Sequence, residues 1–371
     1  MSASPTARSP FVNPSNRFGL DYEAEAARLG PPPVAISDVH THIAGRKAAR
    51  LFQRVMSLYG IERCWSMSPL EQVEPLQDVL GDAIQFIAVP DYWSKDRSHA
   101  HGKGFLDRIR AYHAKGARIV KFWSAPRGID YAAESGAPGL LRLDSESRIE
   151  AMDLASSLGM LFMTHVADPD TWFATKYADA ERYGSKRSHY EPLERMLERY
   201  AQPWIAAHLG GWPEDLEFLD GLLARHDNLH LDSSATKWMV RELSRHSAAD
   251  LESFLRKWSG RVLFGSDIVT SDEHLVPAAE KNEMASKGNS PEEAFDLYAS
   301  RYWALRTLFE TDYLGESPIA DPDLAMVDPA RFGPMDAPEL VGKRLPRDVL
   351  EMLYHGAAAR LLGPSPQTPS R

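Results

Sequence analysis

The stretch Val34-Ala-Ile-Ser-Asp-Val-His40-Thr-His42-Ile43 decides how this chain is read. It follows Pro31-Pro32-Pro33, which can continue neither a helix nor a central strand, so a new element starts at Val34. Its apolar and β-branched residues describe a strand, and residues two apart on a strand project to the same face. His40 and His42 therefore aim at one point from the end of the first strand.

Seven further apolar runs follow the same design, at 61–67, 84–92, 117–124, 161–166, 204–209, 228–232 and 261–269. Between them lie segments such as 44–59, 145–157, 190–200, 215–225 and 237–258, with apolar residues at three- and four-residue spacing. Strands alternating with helices over about 240 residues predict an α/β chain of the (β/α)8 TIM-barrel type, whose usual size is about 250 residues. A doubly wound open sheet is the alternative. Beyond the eighth strand, 277–287 and 291–313 are predicted helical, and 315–346 holds six prolines and reads as an extended excursion. A last helix over 346–362 is stopped by Gly363. Residues 1–33, rich in Ser, Asn and Pro, read as an N-terminal arm, 34–363 as the barrel domain and 364–371 as a short disordered tail.

Composition narrows the function classes. The 371 residues are 43% hydrophobic and 25% charged, the balance of a globular protein with a buried core. Forty-two Lys and Arg against fifty-two Asp and Glu leave a net charge of -10, which disfavours nucleic acid or an anionic membrane as partner. Cys64 is the single cysteine, so no intrachain disulfide and no all-cysteine metal knuckle can form. No run approaches the roughly 18 apolar residues of a membrane span, and residues 1–10 are polar where a signal peptide needs an apolar core. A cytoplasmic protein is expected.

Three more chemistry-bearing residues sit at strand ends. His165 closes the fifth strand, His208 the sixth and Asp267 the eighth. In a (β/α)8 barrel these ends meet on one rim, where active sites lie. Imidazoles with one carboxylate suit zinc, with manganese, iron or cobalt as alternatives. A single strand-end histidine is ordinarily a hydrogen-bonded core residue; an H-x-H pair with two further histidines and an aspartate at matching ends is not explained that way. His99-Ala-His101 has the same H-x-H spacing but lies in the polar stretch 95–103, and it is expected to be surface loop.

The ordered set of His40-Thr-His42, His165, His208-Leu-Gly-Gly and Gly265-Ser-Asp267 resembles the amidohydrolase superfamily, most closely its metal-dependent branch with aminocarboxymuconate-semialdehyde decarboxylase and related hydrolases. Ala358-Ala-Arg-Leu-Leu-Gly363 looks like that branch's C-terminal signature. The resemblance implies His40, His42, His165 and Asp267 as ligands of one divalent ion, zinc first. It implies His208 as the acid/base residue, or as a ligand of a second metal, with Asp267 also catalytic. Such a shell leaves room for a water whose pKa falls from about 15.7 toward about 7. Lys121 on the fourth strand has two readings: a carboxylated lysine bridging two metals, as in binuclear relatives, or an ordinary lysine beside a rim carboxylate. The second, with one metal, is expected.

Trp93, with Asp91 and Tyr92, and then Lys121, Trp123, Trp172, Trp212 and Lys237, with Ser233 and Ser234, are the candidate pocket wall. The connection 168–190 is long for this fold and reads as a lid or as a solvated excursion, its Lys176, Lys186 and Arg187 available to a substrate carboxylate. The expectation is a hydrolase acting on an amide, lactone or related bond of a small, carboxylated molecule, with no nucleic-acid or membrane partner and compatible with a homodimer. A metal-dependent decarboxylase of an unsaturated or aromatic acid is the alternative lyase reading, and a noncatalytic barrel the third.

Overall fold

The computed structural model describes residues 13–277 and 285–363. The arm's first twelve residues, most of the predicted 277–287 helix and the predicted tail at 364–371 lie outside the described residues.

The predicted runs form strands β1 (Ile36–His42), β2 (Ile61–Ser66), β3 (Ile84–Ala88), β4 (Ile119–Trp123), β5 (Leu161–His165), β6 (Trp204–Ala206), β7 (Leu229–Asp232), β8 (Val262–Leu263) and β9 (Ile268–Val269). They make one sheet in the order β8-β7-β6-β5-β4-β3-β2-β1-β9. β8 and β9 are two pieces of the predicted eighth strand, one beside β7 and the other beside β1, so the order is that of an α/β (β/α)8 TIM barrel. The eighth strand is interrupted because Asp267 has a left-handed backbone, φ 58°, which no ladder accommodates. Parallel strands buried on both faces read as near-continuous apolar runs, which is why they stand out in the sequence.

The predicted 237–258 helix is two helices, Thr236–Leu243 and Ala248–Lys257, because Ser247 accepts a hydrogen bond from Asp250 N–H and caps a new start. Among the described residues no helix is long and apolar enough to cross a membrane.

The chain divides into two compact units. One comprises residues 1–64, 74–84 and 234–371, the other 65–73 and 85–233. In the first, helix Arg46–Tyr59 buries Ala48, Ala49, Phe52, Val55, Met56 and Tyr59. Phe52 meets Tyr298 and Tyr302 of helix Pro291–Glu310. The segment read as an arm carries helix Tyr22–Leu29, and Tyr22 is buried against the edge of Trp303. The proline-rich excursion contains an antiparallel pair, β10 (Leu314–Glu316) with β11 (Glu339–Val341), and the short helix Pro322–Val327. In the second unit, Phe105, Phe122, Phe162 and Trp204 form a chain of ring contacts through the interior.

Candidate metal centre

In the first unit the end of β1 and the break in the eighth strand are tied together. Asp267 N–H donates to the His40 carbonyl at 2.8 Å, and Val39 N–H to the Phe264 carbonyl at 2.9 Å. Asp267 Oδ1 then lies 3.4 Å from His40 Nε2 and 3.2 Å from His42 Nε2. In a tetrahedral centre with bonds of about 2.0–2.1 Å, neighbouring ligand atoms are about 3.3–3.4 Å apart. Both contacts to Asp267 have that spacing, and the three ligand atoms lie within 4.8 Å of one another, with donor types that suit a divalent ion.

Supporting groups hold the cluster. Ser234 Oγ is 3.1 Å from His40 Nδ1, leaving Nε2 as the nitrogen on the Asp267 side. Asp38, two residues before His40, accepts from the N–H groups of His40 and Ser266 and from the hydroxyl of Tyr302 at 2.8 Å. Burial pushes the Asp38 carboxyl up to about 7, against the opposing effect of those hydrogen bonds. The sequence reading passed over Asp38, although its spacing placed it on the same strand face as His40.

In the second unit, His165 ends β5 in register with Trp123 of β4. Its Nε2 is 2.9 Å from Asp168 Oδ1, and Tyr177 donates its hydroxyl to Asp168 Oδ2 at 2.8 Å. A carboxylate behind a histidine fixes its tautomer and orientation, the usual support of a metal-binding imidazole. The His208 ring stands edge-on to His165, centroids 4.5 Å apart. His208 lies two residues beyond β6 rather than on it, in a left-handed turn with φ 60°, its N–H donating to Asp232 Oδ1 at 2.9 Å. Gly211, at φ 79°, completes that turn; a Cβ there would sit 2.1 Å from the Ala167 carbonyl oxygen. The Gly-Gly after His208 is thus a packing requirement of the turn.

The candidate wall residues differ in setting. Lys121 is buried in β4. Trp123 meets Tyr92 and Tyr131 edge-on. Trp172 carries Lys176 Nζ over its ring at 3.4 Å, and Trp212 stacks on Tyr190. Trp93 is 76% exposed, so it is not packed into a wall. Lys237 lies on helix Thr236–Leu243, and burial lowers its pKa.

Two expectations are corrected. Lys186 is buried and pairs with Asp170 at 2.8 Å and Glu214 at 3.4 Å, so it fastens the 168–190 connection instead of awaiting a substrate. That connection is structured, with short helices Asp170–Phe173 and Ala180–Tyr183, and Tyr183 and Arg182 hold Asp130. His101 is not surface loop: it is fully buried in helix Arg97–His101 between Tyr92 and Tyr131. Burial, with Arg148 and Arg97 nearby, lowers its pKa to about 3.

No protein-family model and no curated protein matches the chain. Among solved structures it is similar to a probable 2-pyrone-4,6-dicarboxylic acid hydrolase from Acinetobacter baumannii with citric acid bound, at 11% identity over 89% of this chain and 100% of that one, TM-score 0.44. It is also similar to 5-carboxyvanillate decarboxylase from Novosphingobium aromaticivorans, complexed with manganese and 4-hydroxy-3-methoxy-5-nitrobenzoic acid, at 10% identity over 90% and 97% of the two chains, TM-score 0.42. Likenesses this remote carry no argument about the site, which rests on its own geometry.

Proposed function

We propose that this chain is a metal-dependent hydrolase of the amidohydrolase type, cleaving an amide, lactone or related C–N or C–O bond in a small carboxylated molecule. The observation that carries the reading is the convergence of His40 Nε2 and His42 Nε2 on Asp267 Oδ1 at tetrahedral-edge distances. When bound, a divalent ion supplies Lewis-acid polarisation of the scissile group and a water of lowered pKa. His40, His42 and Asp267 hold it, and zinc suits this donor set. Ser234 behind His40 and Asp168 behind His165 orient the rings. His208 takes up a proton at an imidazole nitrogen and returns it to the leaving group, work suited to a side chain whose ordinary pKa is about 6.5.

The test is a screen of lactones, amides and aromatic or unsaturated acids with the metal-loaded protein in ¹⁸O-labelled water. One ¹⁸O in the product without release of carbon dioxide is the expected result. Carbon dioxide release without incorporation of the label into the organic product would replace hydrolysis by decarboxylation.

A further inference from the structure

The backbone at Asp267 takes a conformation that its own residue type does not favour. Its φ of 58° lies in the left-handed region, which costs energy for residues other than glycine and persists only where the surroundings impose it. Both neighbours of Asp267 are tied down. Ser266 N–H donates to Asp38 Oδ1 at 3.1 Å, and Thr236 Oγ1 donates to the Ser266 carbonyl at 3.0 Å. Ile268 N–H donates to Ser266 Oγ at 3.1 Å, so the serine side chain closes a turn around Asp267.

These contacts meet at one buried hydroxyl on another element. Tyr302, on helix Pro291–Glu310, donates its hydroxyl to Asp38 Oδ2 at 2.8 Å and accepts from Ser266 Oγ at 3.4 Å. Asp38 Oδ1 receives the N–H of His40 as well as that of Ser266. One carboxylate thus joins a metal-ligating histidine to the residue before Asp267, and Tyr302 fixes how that carboxylate is turned. The tyrosine ring is itself held: it is fully buried, stacked on Tyr59 at 6.2 Å and on Phe264 at 6.5 Å, with Phe52 tilted against it at 6.1 Å. All of these residues belong to one compact unit.

We infer that Tyr302 and Ser266 are positioning residues for the metal centre: with Asp38 between them and β1, their hydroxyls keep the left-handed turn that points the Asp267 carboxylate at His40 and His42. A tyrosine hydroxyl suits this place because it donates and accepts at once, serving a carboxylate on the β1 side and a serine on the side of the break. Phenylalanine at 302 preserves the ring packing and removes the donor to a buried carboxylate oxygen, so its effect falls on the turn. The inference rests on the metal-centre reading and makes the geometry of that centre depend on helix Pro291–Glu310, which supplies none of the three ligands.

The experiment compares wild type, Tyr302→Phe and Ser266→Ala, with Tyr59→Phe as the control. Tyr59 donates its hydroxyl to the Tyr22 carbonyl at 3.0 Å and stacks on Tyr302, so its variant loses a buried hydrogen bond from the same ring cluster and leaves the contacts of the turn in place. Chains stripped with chelator are titrated with zinc against a chromophoric chelator, and the visible spectrum of each cobalt(II)-loaded chain reports ligand geometry. Urea unfolding of the metal-free chains measures stability. Tyr302→Phe and Ser266→Ala should each weaken zinc binding about tenfold or more and shift the cobalt bands. Tyr59→Phe should lose stability and keep the wild-type zinc affinity and cobalt spectrum. Wild-type affinity and spectrum in either folded variant, Tyr302→Phe or Ser266→Ala, overturn the inference. So does an equal change in Tyr59→Phe, because loosening of the ring cluster would then be sufficient. If Tyr302→Phe does not fold, Ser266→Ala decides by the same two readouts. A wild-type chain that binds no zinc overturns the metal-centre reading together with this inference, which separates that failure from the others.

Discussion

His42 Nε2 lies 3.2 Å from Asp267 Oδ1, although 225 residues separate the two in the chain. The contact is made by the parallel pairing of Thr41 with Ile268 and His42 with Val269, which sets the end of β1 beside the break in the eighth strand. A left-handed Asp267 then turns its carboxylate back toward both histidines. Backbone pairing and one unusual φ together make the donor cluster.

Replacing His208 by Ala tests its separation from the ligand set. Metal content should stay at the wild-type level while turnover falls roughly 10²- to 10⁴-fold, the usual worth of a general acid or base. Plasma emission on the purified variant, beside steady-state kinetics, checks both. Loss of metal would make His208 a ligand.

Asp38→Ala leaves three buried donors, on His40, Ser266 and Tyr302, without their acceptor. Each such loss costs about 1–3 kcal/mol. Urea unfolding should show a loss of at least about 2 kcal/mol, and a loss below about 0.5 kcal/mol would show that Asp38 does not hold the strand ends together.

His101 gives the fold a pH dependence. Its folded pKa is lowered to about 3, while the unfolded chain takes up the proton near about 6.5, so between these values the unfolded state binds more protons. Its contribution is present above about 6.5 and is lost as pH falls. Between pH 7 and 5 His101 should cost about 2 kcal/mol. His101→Phe should therefore lose less stability than wild type over that interval, measured by urea unfolding at both pH values. Equal losses would contradict a buried neutral histidine.

What the sequence revealed, and what it hid, follows from the range of the forces involved. Strand positions and the shared direction of His40 and His42 are local, set by apolar runs and a two-residue period, and both could be read directly. The left-handed turns at His208 and Asp267 carry no reliable residue signal, since neither is glycine. His101 was misread because its neighbours in sequence are polar. Its burial comes from Tyr131, thirty residues on, with the Arg97 guanidinium lying 3.7 Å from that ring's centroid. Lys186 was misread for the same reason, as its partners Asp170 and Glu214 are remote in sequence.

The central claim is that His40, His42 and Asp267 hold a divalent ion. The most direct measurement is the metal content of protein stripped with chelator, reloaded with zinc and desalted, for wild type, His42→Ala and Asp267→Ala. The expected result is about one ion per wild-type chain and marked loss in both variants, with all three folded by circular dichroism. A wild-type chain that retains no divalent ion, or variants that retain as much as wild type, would contradict it.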